Sequence, residues 1–270
     1  MLHNWLTEEE NKSHSHKFFV IEIIEKDNFT DAVKLRKFIA EQILNHLDYP
    51  DRIKRIFSNQ PIENLENHIL NVLIPPKNAP FHPQISFWGE ILVAVYLEKI
   101  KALILPVLKL RYRELYNRAM AGKADVLCCD VSTNNPIIFF SEVKTKTSYD
   151  KSKDISIAKK AFDGISSNNV PNPEIVDYIS KRLEEKDEYD LMDLFDKFII
   201  DPDSYSKNFQ IFLVFDKNQW DEDILEYVDN NVNVNLPNLT INVVLIDSLR
   251  DLIDESYSIV LEVAKEVVYE

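Results

Sequence analysis

Apolar positions along the chain follow two periods, and the switches between them mark the elements. Lys17 to Glu25 (KFFVIEIIE) has the β-branched and aromatic density of a strand, whereas Phe29 to Leu47 places Phe29, Val33, Leu35, Phe38, Ile39, Ile43, Leu44 and Leu47 at near-helical spacing. Together they predict a small N-terminal α/β unit. Between Ile74 and Pro83 the prolines Pro75, Pro76, Pro80 and Pro83 interrupt helix and sheet alike, so the chain is expected to divide there. Residues 1–80 form the N-terminal unit, a candidate for partner binding, and residues 81–270 a larger domain with an acidic C-terminal part.

Past the boundary, Ser86 can cap a helix running to about Lys101, whose stretch Ile91 to Leu97 is apolar all round and expects burial on most sides. Three strands are predicted next, at Val107–Arg113, Ala124–Val131 and Ile137–Thr147, and then a helix over Asp154–Ile165 with Ile155, Ala158, Phe162 and Ile165 on one face. Glu174–Ile200 reads as helical. Gln210–Phe215 (QIFLVF) and Ile241–Ile246 (INVVLI) are short continuous apolar runs of the kind covered on both faces, with a helix between them at Asp221–Val228 and an amphipathic helix from Ser248 to Val268. The pattern is an α/β (α+β) fold with a mixed central sheet.

Composition then removes several chemistries. Only three glycines occur (Gly89, Gly122, Gly164), too few and too scattered for a Walker A loop or a Rossmann fingerprint. All six histidines lie in the first third of the chain, leaving none downstream to serve a serine or cysteine nucleophile. The adjacent Cys128 and Cys129 suit neither a disulfide framework nor a zinc site and read as small core residues, with Phe87 and Trp88 as packing residues. No apolar run approaches the roughly 20 residues of a membrane span, and the polar start predicts a soluble, cytoplasmic protein.

The net charge of −14 conceals an uneven distribution. Lys99 to Lys160 holds thirteen basic against six acidic residues, +7, whereas residues 171–270 hold eight basic against twenty-four acidic, −16. A basic middle between acidic flanks fits a polyanion site in a body that otherwise repels polyanions; ordinary fluctuation of solvated charge would look the same. The acidic tail could serve as a partner interface, cover the basic cleft as a polyanion mimic, or only keep the protein soluble.

Chemistry concentrates in that middle. Residues two apart in a strand share a face, so Glu142 and Lys144 project together, about 7 Å apart, continuing the row begun by Ile138 and Phe140. Asp125 opens the preceding strand, where a neighbouring pair of strands could set it beside Glu142. Two such carboxylates, completed by the Val143 carbonyl, suit Mg²⁺ or Mn²⁺, with Lys144 positioning a metal-bound water or stabilising charge on the phosphate in the transition state. Glu90 shares a helical face with Val93, Ala94 and Leu97. It is either a ligand or ligand-orienting group, or an acid favoured by the first turn of its helix. Lys109, Arg111 and Arg113 alternate on one predicted strand and, with Lys146, Lys151, Lys153, Lys159 and Lys160, could track phosphates; a lysine-protected sheet edge is the competing explanation.

These residues resemble the PD-(D/E)xK nuclease superfamily, whose core runs helix, three strands, helix, strand. More closely, GEILVAVYLE (Gly89–Glu98), GKADVL (Gly122–Leu127), SEVKTKTS (Ser141–Ser148) and ISIAKKAFDGI (Ile155–Ile165) resemble the HamA nuclease subunits of Hachiman anti-phage defence systems. The resemblance implies a restriction-endonuclease-like core, Glu90, Asp125, Glu142 and Lys144 as the active-site set, and a HamB-like helicase subunit as partner. The expected function is metal-dependent hydrolysis of phosphodiesters, DNA before RNA. The alternative is a non-catalytic nucleic-acid-binding or regulatory subunit that retains the nuclease fold.

Overall fold

A computed structural model of the chain describes residues 1–10, 18–80, 82–112, 124–133, 135–148, 151–166, 173–232, 236 and 238–270. The N-terminal part comprises α1 (Leu2–Trp5), β1 (Leu6–Glu10), β2 (Phe19–Glu25), α2 (Ala32–Leu47), α3 (Pro50–Phe57) and α4 (Ile62–His68), the last continued by a π-helical turn at Ile69–Leu73. Then follow α5 (Pro83–Lys99), a 3₁₀ turn at Lys109–Tyr112, β3 (Val126–Asp130), β4 (Ile137–Lys146) and α6 (Lys151–Ser166). The remainder is α7 (Pro173–Glu184), α8 (Tyr189–Ile200), β5 (Ser206–Asp216), α9 (Asp223–Asn231), β6 (Leu239–Ile246), α10 (Leu249–Ser258) and α11 (Val260–Tyr269). No described helix is long and apolar enough to cross a membrane.

One six-stranded mixed sheet organises these elements in the order β1-β2-β6-β5-β4-β3. The inner pairs β2–β6, β6–β5 and β5–β4 are parallel, and the two edge pairs are antiparallel. Strands β1 and β2 of the first 80 residues therefore belong to the same sheet as the later strands. Helices cover both faces. On one side Val143, Phe212, Val214, Val244 and Ile246 pack beneath α2, α5, α10 and α11; on the other Ile138, Phe140, Phe209, Ile211, Leu213 and Val243 pack beneath α6 to α9. The alternation along β4, β5 and β6 that sends successive residues to opposite layers is the strand period itself.

Four expectations change. Of the strand expected at Val107–Arg113, the described residues 107–112 form none: Ile104 takes the sheet-edge place through a single antiparallel bridge, exchanging two 2.9 Å backbone hydrogen bonds with Cys129. Pro106, without an N–H, prevents the ladder from continuing, and the chain turns into the 3₁₀ segment instead. Helix α5 starts at Pro83 rather than with a Ser86 cap, because proline is pre-shaped for the first helical turn and His82 ahead of it is left-handed (φ 48°). The acidic helical stretch is two helices, broken where Asp187 adopts φ 60°. The C-terminal helix likewise breaks, at Ile259.

Candidate active site

The site forms where two strands part. Strand β3 pairs with β4 only from Ile137 to Ser141, so among the described residues the rest of β4 has a strand neighbour on one side alone. Asp125 sits at the fork. Its backbone N–H donates to the Ser141 carbonyl at 2.9 Å, the last rung of the ladder, and its Oδ2 then accepts the Val143 N–H at 2.8 Å. A carboxylate thus takes the place of the carbonyl that a longer β3 would have supplied, which fixes it against β4 by a charge-assisted hydrogen bond.

Beyond the fork, Glu142 and Lys144 lie on the same face, as the two-residue period requires. Glu142 is only 7% exposed, held beneath α6, and Lys144 is half-buried. The Lys144 ammonium is surrounded by oxygen: Glu142 Oε1 at 2.5 Å, the Val143 carbonyl at 3.3 Å and Asp125 Oδ2 at 3.7 Å. Three oxygens expected to share a metal therefore converge on one cationic atom. Among the described residues, no group of three or more His, Cys, Asp or Glu side chains forms a ready metal cluster.

Electrostatics mark the same place. Burial, then the charge of Asp125, pushes the Glu142 carboxyl up to about 7, against the pull of Lys144. Glu90, on the first half of α5, is raised to about 8, again by burial and then by Asp125, with Lys109 and Lys144 opposing. Burial lowers the Lys144 ammonium, but the charges of Asp125 and Glu142 more than reverse this and leave it above its ordinary value. Glu90 therefore shares the field of the other three residues, and it borders the same cavity as Asp125.

Two glycines let the helices close on this strand. A Cβ on Gly89 would lie 1.8 Å from Thr145 Oγ1, and one on Gly164 would lie 2.6 Å from Glu142 Oε1. Gly89 thus lets α5, which carries Glu90, approach one face of β4, and Gly164 lets α6 lie against Glu142 on the other. Neither residue stood out from its sequence pattern; their rarity, two of only three glycines, was the available signal.

The basic residues separate. Lys109 is half-buried and donates to the Ala124 carbonyl at 2.6 Å, beside the fork. Arg111 donates to the Asn45 carbonyl and to Asn45 Oδ1, both at 2.7 Å, and lies over the Tyr49 ring at 4.0 Å. The two do not line one strand face, since their segment is a 3₁₀ turn. Lys146 is buried (7% exposed) at the end of β4 rather than on the surface. Lys159 and Lys160 are exposed on α6, the former paired with Asp163 at 2.8 Å. Arg113 lies outside the described residues, as do the side chains of Lys151 and Lys153. Cys128, Cys129 and Trp88 are core residues, as expected.

A six-stranded mixed sheet with helices on both faces is consistent with an α+β nuclease-like core. The HamA family model matches residues 1–260, and the chain belongs to the HamA family, whose role lies in Hachiman anti-phage defence. No curated protein matches the chain.

Proposed function

We propose that this HamA-family chain is a metal-dependent nuclease that hydrolyses phosphodiester bonds, in DNA before RNA, as the effector of a complex with a helicase subunit. The observation that carries the reading is the convergence of Glu142 Oε1, the Val143 carbonyl and Asp125 Oδ2 on the Lys144 ammonium at the strand fork. The donor set fits the group: all three are hard oxygens, two of them carboxylate, as Mg²⁺ and Mn²⁺ prefer. Asp125, Glu142 and the Val143 carbonyl would hold it, and when bound it supplies Lewis-acid polarisation of a phosphate oxygen. Glu142, held near neutrality by its surroundings, must give up its proton to serve as a ligand, so cation binding releases protons.

The chain's own groups do the rest. Lys144, kept charged by two carboxylates, can donate to a non-bridging phosphate oxygen and stabilise the charge that grows there in the transition state. Glu90, raised to about 8, carries a proton at neutral pH and can hold a water by donating to it without adding a further negative charge beside the phosphate. Lys159 and Lys160, exposed on α6, remain candidates for phosphate contacts at the surface.

The test is cleavage of plasmid DNA by the purified chain, alone and with its helicase subunit, in Mg²⁺ or Mn²⁺. We expect cleavage that Lys144→Ala and Glu142→Ala abolish without unfolding the protein. Cleavage that survives both substitutions would overturn the assignment. The competing reading, a non-catalytic subunit, draws on the same ammonium, since an ion pair already satisfies Glu142. It requires partner or nucleic-acid binding that is indifferent to chelators and to loss of Asp125.

A further inference from the structure

A slot opens directly from the fork. It is bordered by Glu90 and Asp125 and runs between α5, the start of β3, the segment Leu105–Leu110 and α7. The cavity holds about 50 Å³ and is open to solvent on one side. Its walls are largely aliphatic, with Leu108, Ile175 and Ile179 among them, and Tyr178 supplies an aromatic ring. Arg182 lies over that ring at 5.1 Å, bracing it from outside the slot.

His46, near the end of α2, also lines the slot. It is 4% exposed. Burial, helped by the nearby charge of Arg111, holds it far below its ordinary value, at about 3, so the ring is neutral and offers one donor and one acceptor.

We infer that this slot receives one unstacked nucleobase of the strand being cut, with His46 meeting the base edge and Tyr178 its face. The inference rests on the nuclease reading for the position of the phosphate. A phosphate held by Lys144, whose ammonium lies 3.7 Å from Asp125 Oδ2, puts its own nucleotide's base about one sugar away, on the side where the slot begins. The carboxylates at the entrance repel a second phosphate from the interior, while flat aliphatic walls, a ring and a neutral donor–acceptor pair suit a neutral heterocycle. A base stacked inside a duplex cannot reach an inward slot, so the preferred substrate is single-stranded or locally unpaired.

The experiment titrates the full chain into single-stranded DNA and RNA oligonucleotides carrying 2-aminopurine, in Ca²⁺, with cleavage followed separately in Mn²⁺. We expect a saturable emission change with DNA, RNA or both, which identifies the source of the base. His46→Leu, and Val107→Trp to fill the mouth, should each weaken binding about tenfold and suppress the emission change, whereas His46→Gln should restore most of it. Binding within twofold of the unsubstituted chain in both disruptive variants, or no emission change despite cleavage, would overturn the slot and leave the nuclease reading intact. A His46-dependent emission change without any cleavage would support the slot and remove the nuclease reading.

Discussion

Neighbouring strands carry opposite chemistry at one level of the same sheet. Glu142 lies in register with Ile211 and Lys144 with Leu213, yet Ile211 and Leu213 are completely buried among apolar side chains while Lys144 keeps access to solvent. The cause is what lies on the far side of each strand. Strand β5 is flanked by β6 at that level, whereas β4 loses β3 after Ser141. Charge is tolerable where a sheet forks, because backbone and side chains there can be satisfied by one another and by water; it is costly where a strand is enclosed on all sides.

Substitutions can separate the two strands. The largest expected effect is at the fork: Lys144→Ala or Glu142→Ala should lower cleavage at least about 10³-fold, measured on plasmid DNA, while circular dichroism stays unchanged. At the enclosed strand the effect should be on folding, with Phe212→Ala costing about 3–5 kcal/mol in urea unfolding. Asp125 joins both roles. Asp125→Ala strands the Val143 N–H and should cost about 1–3 kcal/mol, whereas Asp125→Asn keeps an acceptor and should lose cleavage with little loss of stability.

A separate effect is in pH. Glu142 and Glu90, raised from 4.5 to about 7 and about 8, keep their protons in the folded chain over a range where the unfolded chain has lost them. Their stabilising contribution is therefore complete below about 4.5 and is lost as the pH rises through the raised values. The urea midpoint of the metal-free chain should fall between pH 5 and pH 8, and Glu90→Gln should flatten that fall. An equal slope in this variant would show that Glu90 carries none of the linkage.

The same contrast explains what the sequence reveals. Strands β5 and β6 are legible because enclosure demands continuous apolar runs, and the Glu142–Lys144 pair because a period of two puts both on one face. The segment from Val107 misleads because Lys109 and Arg111 alternate with apolar residues as a strand would, and nothing local shows that Ile104 already holds the edge. The union of β2 with β6 rests on parallel pairing between distant parts of the chain, which periodicity cannot register. Asp125 is visible as a carboxylate but not as the acceptor that ends the ladder. His46 looks like any helix-terminal histidine until α7 and the Leu105–Leu110 segment enclose it.

Calorimetric titration of the chain with Mn²⁺ near pH 7, in two buffers of different ionisation enthalpy, tests the fork most directly. We expect saturable binding accompanied by proton release, abolished by Asp125→Asn and by Glu142→Gln. Binding that persists undiminished in both variants, or none in the unsubstituted chain, would contradict a cation site at the parting of β3 and β4.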